Sequence, residues 1–337
     1  MMEMVRIPEH RRKHAAITML VLLLIGVVYW WSYSWNFTPK TPPVYGVTFS
    51  KPHTENLGLD WRETFTAILD DLQVRNFRLS AYWNDTEWPD DTYRFDDLDW
   101  QINQVRAKNG KVVLAIGRRL PRWPECHVPE WAKPLSEAQQ QEQILELLTA
   151  VVTHYKHDPV ITAWQVENEP LLDFFGECPE PDHAFLQREI DLVRSLDNRP
   201  IITTASGEFS NWSATGREAD LLGVSLYRTV WNEKTGHITY PVSPPFYAFR
   251  QWYVRRQGVK AIFLSELQGE PWAPVALTQL SRNESTELMN PQMFHEIVDY
   301  ARRSGFSTIY FWGVEWWYQQ KKSGAPEMWD AATRYFH

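Results

Sequence analysis

From residue 44 onward, short apolar runs alternate with amphipathic segments, and no gap is long enough to mark a boundary between domains. The strand-like runs are VYGVTF (44–49), FRLSAYW (77–83), KVVLAIG (111–117), VITAWQV (160–166), IITTA (201–205), LLGVSLY (221–227), AIFLSEL (261–267) and STIYFWG (307–313). They are dense in β-branched and aromatic residues, which suit a pleated, buried surface. Between them lie WRETFTAILDDL (61–72), LDWQINQVRAKN (98–109), EAQQQEQILELLTAVVTHY (137–155), AFLQREIDLVRSL (184–196), FYAFRQWYVRRQ (246–257) and QMFHEIVDYARRS (292–304). Their apolar residues recur every three or four positions, as one buried helical stripe requires. After the fifth strand the helix shrinks to about GREAD (216–220). Eight alternations of this kind predict an α/β fold, a closed (β/α)8 TIM barrel with parallel strands and right-handed crossovers. An open doubly wound sheet would carry a glycine-rich turn after its first strand, whereas SKPHTENLGLD (50–60) holds no such fingerprint.

Two strands of this pattern end in glutamates. The fourth runs into Glu167, Asn168, Glu169 and Pro170, and the seventh delivers Glu266. The proline lacks an amide proton and stops the ladder there. In a barrel the C-terminal strand ends share one central cleft, so Glu169 and Glu266 project into it from different sides. The strand-to-helix connections are also the long ones, at 118–135, 171–183, 228–245 and 269–291, which is where a barrel builds its site. Two carboxyls in one cleft suit glycoside hydrolysis. One protonates the leaving oxygen, and the other attacks the anomeric carbon at a separation of about 5 Å or activates water at about 6.5–9.5 Å.

With 337 residues, 44% of them hydrophobic, the chain can bury a large core. A formal net charge of -8 disfavours nucleic acid as a partner, since phosphate neutralisation needs clustered Lys and Arg. The 18 tryptophans exceed what a fold needs; they serve either as core filler or as flat faces for sugar rings. No His-Glu-x-x-His run, cysteine cluster or phosphate loop is present, so no metal and no cofactor is expected. His154 and His157 sit on a helix at a spacing that solvated histidines commonly show. The barrel is expected to act as a monomer on carbohydrate.

The N-terminus is organised differently. Arg6, Arg11, Arg12 and Lys13 lie in a basic tail (1–14), followed by an uncharged apolar segment (15–35) that ends in Trp30, Trp31, Tyr33 and Trp35. About 20 residues at 1.5 Å each cross a bilayer, and indoles favour its interface. A single-pass signal-anchor is therefore expected, with the tail cytoplasmic by the positive-inside rule and the barrel (44–337) extracytoplasmic. The rival, a cleaved signal peptide, has only Ser32-Tyr33-Ser34 as a small-x-small site. NFTPKTPP (36–43) then forms a short stiff linker.

At its two glutamates, and over the whole of 44–337, the chain resembles the clan A retaining glycoside hydrolases, which include cellulase-like family 5 and the β-galactosidases of family 42. The resemblance implies Glu169 as acid/base, Asn168 as the ligand of the sugar 2-hydroxyl and Glu266 as nucleophile. It also implies that Arg78 on the second strand holds the nucleophile ionised and that Tyr227 hydrogen-bonds it. Trp312 resembles the platform under the reacting sugar, and the segment beginning at Trp83 (83–98) resembles a substrate-binding loop. Family 5 enzymes carry a histidine where this chain has Ser225, and Arg118 and Arg119 stand where another histidine is expected, so the resemblance reaches the clan and not one family. Arg118, Arg119 and Arg122 either neutralise the rim carboxylates Glu167, Glu208, Glu270 and Glu315 or bind an acidic sugar. The function expected is a membrane-anchored retaining β-glycosidase; a transglycosylase and a catalytically silent carbohydrate-binding barrel are the alternatives. Cys126 and Cys178, the 2 cysteines of the chain, fall in the loops after strands three and four. Such loops are neighbours on one face, so an oxidising compartment would join them in a disulfide; otherwise they remain free thiols.

Overall fold

A computed structural model describes residues 9–89 and 92–337. Arg6 of the basic tail, and Asp90 and Asp91 in the loop after the second strand, lie outside the described residues. Eight parallel strands close into a barrel: β1 (Val44–Thr48), β2 (Asn76–Ser80), β3 (Lys111–Ile116), β4 (Ile161–Val166), β5 (Ile201–Ala205), β6 (Leu221–Leu226), β7 (Ala261–Gln268) and β8 (Thr308–Trp312). The ring is sealed where β1 pairs with β8 from Val44 opposite Thr308 to Val47 opposite Phe311.

The helices begin where the chain supplies side-chain acceptors for their free amides. Asp60 caps Trp61–Asp70, Ser136 makes a capping box with Gln139 at the head of Glu137–Tyr155, and Asp182 and Asn290 cap His183–Leu196 and Pro291–Arg303. Each lays its apolar stripe on the strands, so the main core is the shell between barrel and helices, with Phe65, Leu148, Trp164, Ile190 and Phe294 buried in it. A smaller core fills the barrel itself, from Val113, Ala163, Ile202, Phe263 and Tyr310. Strand alternation puts Gln165 on the same face as Ala163, so the barrel interior turns from apolar to polar toward the C-terminal strand ends.

Three details differ from the sequence-based expectation. The short helix after β5 spans Trp212–Gly216 rather than 216–220, because Asn211 accepts from the amides of Ser213 and Ala214 and starts it earlier. The chain leaves β2 at Ser80, and Trp83 opens a short helix, Trp83–Thr86, instead of ending the strand. On β7 the register with both neighbours shifts between Leu264 and Leu267, an irregularity centred on Ser265 and Glu266.

Outside the barrel, one helix runs from Glu9 to Ser32, and its segment Lys13–Ser32 is long and apolar enough to cross a membrane. Its C-terminal end meets the barrel through polar contacts: Tyr29 donates to the Pro241 carbonyl (2.8 Å), Ser32 to the Ser243 hydroxyl (2.8 Å), and the Phe37 amide to the Arg303 carbonyl (2.8 Å).

Candidate active site

Arg78 is the hub of the cleft. It rises from β2 into the barrel interior, fully buried. A buried guanidinium is tolerable only when its donors are matched, and three side chains match them. Nη1 donates to Glu266 Oε1 (2.8 Å), Nη2 to Asn168 Oδ1 (2.6 Å) and Nε to Gln165 Oε1 (2.7 Å). The Tyr227 hydroxyl donates to the other Glu266 oxygen, Oε2 (3.0 Å). Burial and the Glu266 charge push the Tyr227 phenol well up, so it remains a donor. Both oxygens of Glu266 are thus held by donors, an arrangement that fixes the orientation of its carboxyl group.

Glu169 faces a different environment. Its amide donates to Thr204 Oγ1 (2.7 Å), and its Oε1 accepts from Ser225 Oγ (2.9 Å). No arginine or lysine pairs with it among the described residues. Burial first, and then the nearby Glu266 charge, push its carboxyl up to about 8. A third carboxyl shares the cleft. Glu125, 5% exposed, accepts from Asn168 Nδ2 (3.1 Å), and burial together with the Glu266 and Glu169 charges raises it to about 8. Glu208, after β5, rises to about 7 through burial, although the Tyr247 hydroxyl donates to it.

The backbone around these groups is unusual. Arg122, Glu125, Glu167 and Glu169 all have left-handed φ values, between 44° and 85°. Each such non-glycine residue costs about 1–3 kcal/mol and persists only where its surroundings hold it. For Glu167 the hold is visible: its two oxygens accept the Arg118 and Arg119 amides (2.7 and 2.6 Å) at the end of β3. A Cβ on Gly117 would come within 2.2 Å of the same carboxyl, so that position demands glycine. Burial and Glu167 together push the neighbouring Glu189 well up. Glu167 is therefore a strut between β3 and β4, and it turns the following Asn168 and Glu169 into the cleft.

The rim arginines are used within the protein. Arg118 pairs with Glu137 (2.8 Å) and Gln140 (3.1 Å), and Arg119 donates to the carbonyls of Leu172 (2.5 Å) and Phe175 (2.8 Å). Arg122 bridges Glu270 and Glu315 and lies 3.9 Å from the centre of the Trp312 ring. Burial opposes ionisation of Glu270, but Arg122 and His53 overcome it and bring the carboxyl down to about 2. Arg122 thus neutralises the rim carboxylates Glu270 and Glu315, whereas Arg118 and Arg119 are taken up by Glu137 and by backbone carbonyls.

Arg78, Asn168, Glu169, Tyr227 and Glu266 meet in one cleft. Trp312, at the end of β8, has one ring face covered by Arg122. Trp83 does not reach the cleft: the residue is fully buried, its indole N–H bonded to Glu87 (2.7 Å) and its ring packed edge-on against Trp131. It braces its loop, which corrects the substrate-binding role expected for it. Cys126 and Cys178 form a disulfide with their Cα atoms 5.3 Å apart, joining the loops after β3 and β4. Trp123 and Phe175 of those loops continue an aromatic run that starts at the end of β6: Tyr227 contacts Trp272 (5.1 Å between centroids), in the loop after β7, Trp272 contacts Phe175 (5.7 Å), and Phe175 contacts Trp123 (6.0 Å), which is 60% exposed. Sequence reasoning misses Glu125 and this run. The one hint is the place of Trp123, Glu125 and Phe175 beside the two cysteines.

Fold and cleft together define a (β/α)8 barrel with paired carboxyls at the ends of β4 and β7. No family model matches the chain, and no curated protein matches it in sequence. Among solved structures it is similar to a β-galactosidase from the psychrophilic Marinomonas ef1, with 14% identity and a TM-score of 0.56 over 86% of this chain and 58% of that one. It is also similar to a glycosylated family 10 endo-β-1,4-xylanase from Gloeophyllum trabeum, with 16% identity and a TM-score of 0.57 over 88% and 96% of the two chains. A family 5, subfamily 18 enzyme from Streptomyces cattleya in complex with GlcNAc gives 11% identity and a TM-score of 0.56 over 80% and 70%. At these identities the likeness is one of fold. The chain spans little more than half the length of the β-galactosidase, and nearly all of the xylanase.

Proposed function

We propose that this protein is a membrane-anchored retaining β-glycosidase of the clan A type, acting on extracytoplasmic oligo- or polysaccharides. The observation that carries the reading is the opposite treatment of two glutamates in one cleft. Glu266 has both oxygens tied to donors and a guanidinium beside it, as an anionic nucleophile needs. Glu169 has no cationic partner among the described residues and sits near 8, so it is protonated at neutral pH and able to donate to a leaving oxygen. In this mechanism Glu266 attacks the anomeric carbon while Glu169 protonates the departing oxygen. Glu169 then takes a proton from water as the glycosyl-enzyme is hydrolysed. Asn168, held at its carbonyl oxygen by Arg78 and with one amide hydrogen on Glu125, has its second amide hydrogen for the sugar beside the reacting carbon. The run from Tyr227 to Trp123 gives a longer glycan successive ring faces, which supports an oligomeric substrate.

Azide tests the roles. Glu169→Ala should be rescued on an activated aryl β-glycoside to a β-glycosyl azide of retained configuration, because the nucleophile survives. Glu266→Ala should give the inverted α-azide. The same stereochemistry from both variants would overturn the assignment.

A further inference from the structure

We propose that the barrel is seated on the bilayer as well as tethered to it, with the outer face of the helix Pro244–Arg255 lying in the lipid interface. This rests on the anchored reading above.

Phe249, Trp252 and Tyr253 project from that face, 62%, 51% and 49% exposed, while Tyr247, Gln251 and Val254 of the same helix are buried. The three rings form one patch, with Phe249 nearly parallel to Trp252 (5.5 Å between centroids) and to Tyr253 (6.4 Å). Single exposed apolar residues are ordinary on a soluble surface; a contiguous aromatic group marks a contact. Two further observations select lipid as that contact.

The first is position. Ser243 immediately precedes this helix, and its hydroxyl is the one that Ser32 bonds at the end of the apolar N-terminal helix; Tyr29 bonds Pro241 two residues earlier. The exposed Trp30 and Trp31, which mark the interface end of the span, therefore lie beside the segment leading into the patch. A bilayer crossed by the first helix reaches its surface there.

The second is charge. In a chain of net charge -8, the stretch from Lys234 to Ser265 contains no Asp or Glu. Arg255 and Arg256 are exposed at the end of the helix, neither in an ion pair among the described residues, and the Arg256 guanidinium lies 4.9 Å from the centre of the Trp252 ring. Aromatic rings at headgroup depth flanked by arginines suit an anionic bilayer surface. A second copy of the chain fits less well, since the arginines would meet each other.

The full chain, labelled with 5-fluorotryptophan and reconstituted in nanodiscs of phosphatidylcholine and phosphatidylglycerol, tests this by fluorine NMR. The Trp252 and Trp30 signals are assigned through Trp252→Phe and Trp30→Phe. A nitroxide-labelled lipid should broaden both, and a water-soluble relaxation agent should leave Trp252 largely untouched, as expected for a ring about 5–10 Å below the surface. In discs without phosphatidylglycerol the lipid effect on Trp252 should weaken. Broadening of Trp30 by lipid but of Trp252 by the aqueous agent would overturn the seat and leave the anchor standing. Broadening of neither by lipid would overturn the anchor and the seat with it. Protection of Trp252 from both agents, in discs holding two chains, would assign the patch to a dimer instead. The triple variant Phe249→Ser, Trp252→Ser, Tyr253→Ser should retain activity on a soluble aryl glycoside, which shows that it folds.

Discussion

At the scale of single residues, the cleft separates two chemically identical side chains by what surrounds them. Arg78 is shared by Glu266, Asn168 and Gln165, so one guanidinium both orients the Glu266 carboxyl and fixes the amide next to Glu169. Glu169 is raised by burial and by the Glu266 charge, and that second cause can be removed. In Glu266→Gln, the carbon-13 carboxyl signal of Glu169 should titrate at lower pH than in the unaltered protein; an unchanged midpoint would mean that the two groups do not interact. Glu169 and Glu266 are legible in the sequence because the alternation locates the strand ends that carry them, whereas Arg78, Asn168 and Tyr227 are picked out only by the resemblance to clan A. Glu125 is not legible, since a glutamate between a proline and a cysteine in a long loop carries no pattern of its own.

At the scale of elements, the loops after β3 and β4 act as one unit. The bond between Cys126 and Cys178 spans 52 positions, and closing a loop of that length restricts the unfolded chain by about 4 kcal/mol in the entropy model. Gly176 lies against Glu125, where an added Cβ would come within 2.7 Å, so the joined loops also hold the third carboxyl in place. Trp123 and Phe175 belong to the same pair of loops. The variant Cys126→Ser, Cys178→Ser should lose about 2–4 kcal/mol of stability in denaturant unfolding. Its KM on a long glycan should rise more than its KM on an aryl glycoside, because only the long substrate reaches the aromatic run. Equal changes on both substrates would remove that run from binding. The shift in β7 is of another kind: a register irregularity re-aims a side chain, and here it falls at Glu266. Apolar periodicity places that glutamate at a strand end but does not reveal the bulge, which depends on both neighbouring strands.

At the scale of the whole molecule, several carboxyls held above their usual range make stability depend on pH. Glu125 and Glu169 stand near 8 and Glu208 near 7, against an ordinary 4.5. Between these limits the folded protein binds more protons at these sites than the unfolded chain, so their contribution to stability falls as pH rises from about 4.5 to 8. Glu125→Gln copies the protonated form and retains an acceptor for Asn168. In denaturant unfolding the variant should match the parent near pH 5 and exceed it near pH 8.5 by a few kcal/mol, since each pH unit between the two limits contributes about 1.4 kcal/mol. No gain at high pH would mean that Glu125 is ionised without penalty.

The barrel, its strand bounds to within a few residues, the apolar N-terminal helix and the two cleft glutamates were all determined by the sequence alone, because apolar period and strand-end chemistry are local properties that short windows express. What only the tertiary structure decided was which charges meet. Arg118, Arg119 and Arg122 could have faced a ligand, yet each finds its partners in a segment between 19 and 193 positions away. Trp83 could have lined the cleft, yet the chain leaves β2 early and buries it. Pairing and burial of this kind depend on distances between elements that closure of the barrel sets, and no window of sequence contains them.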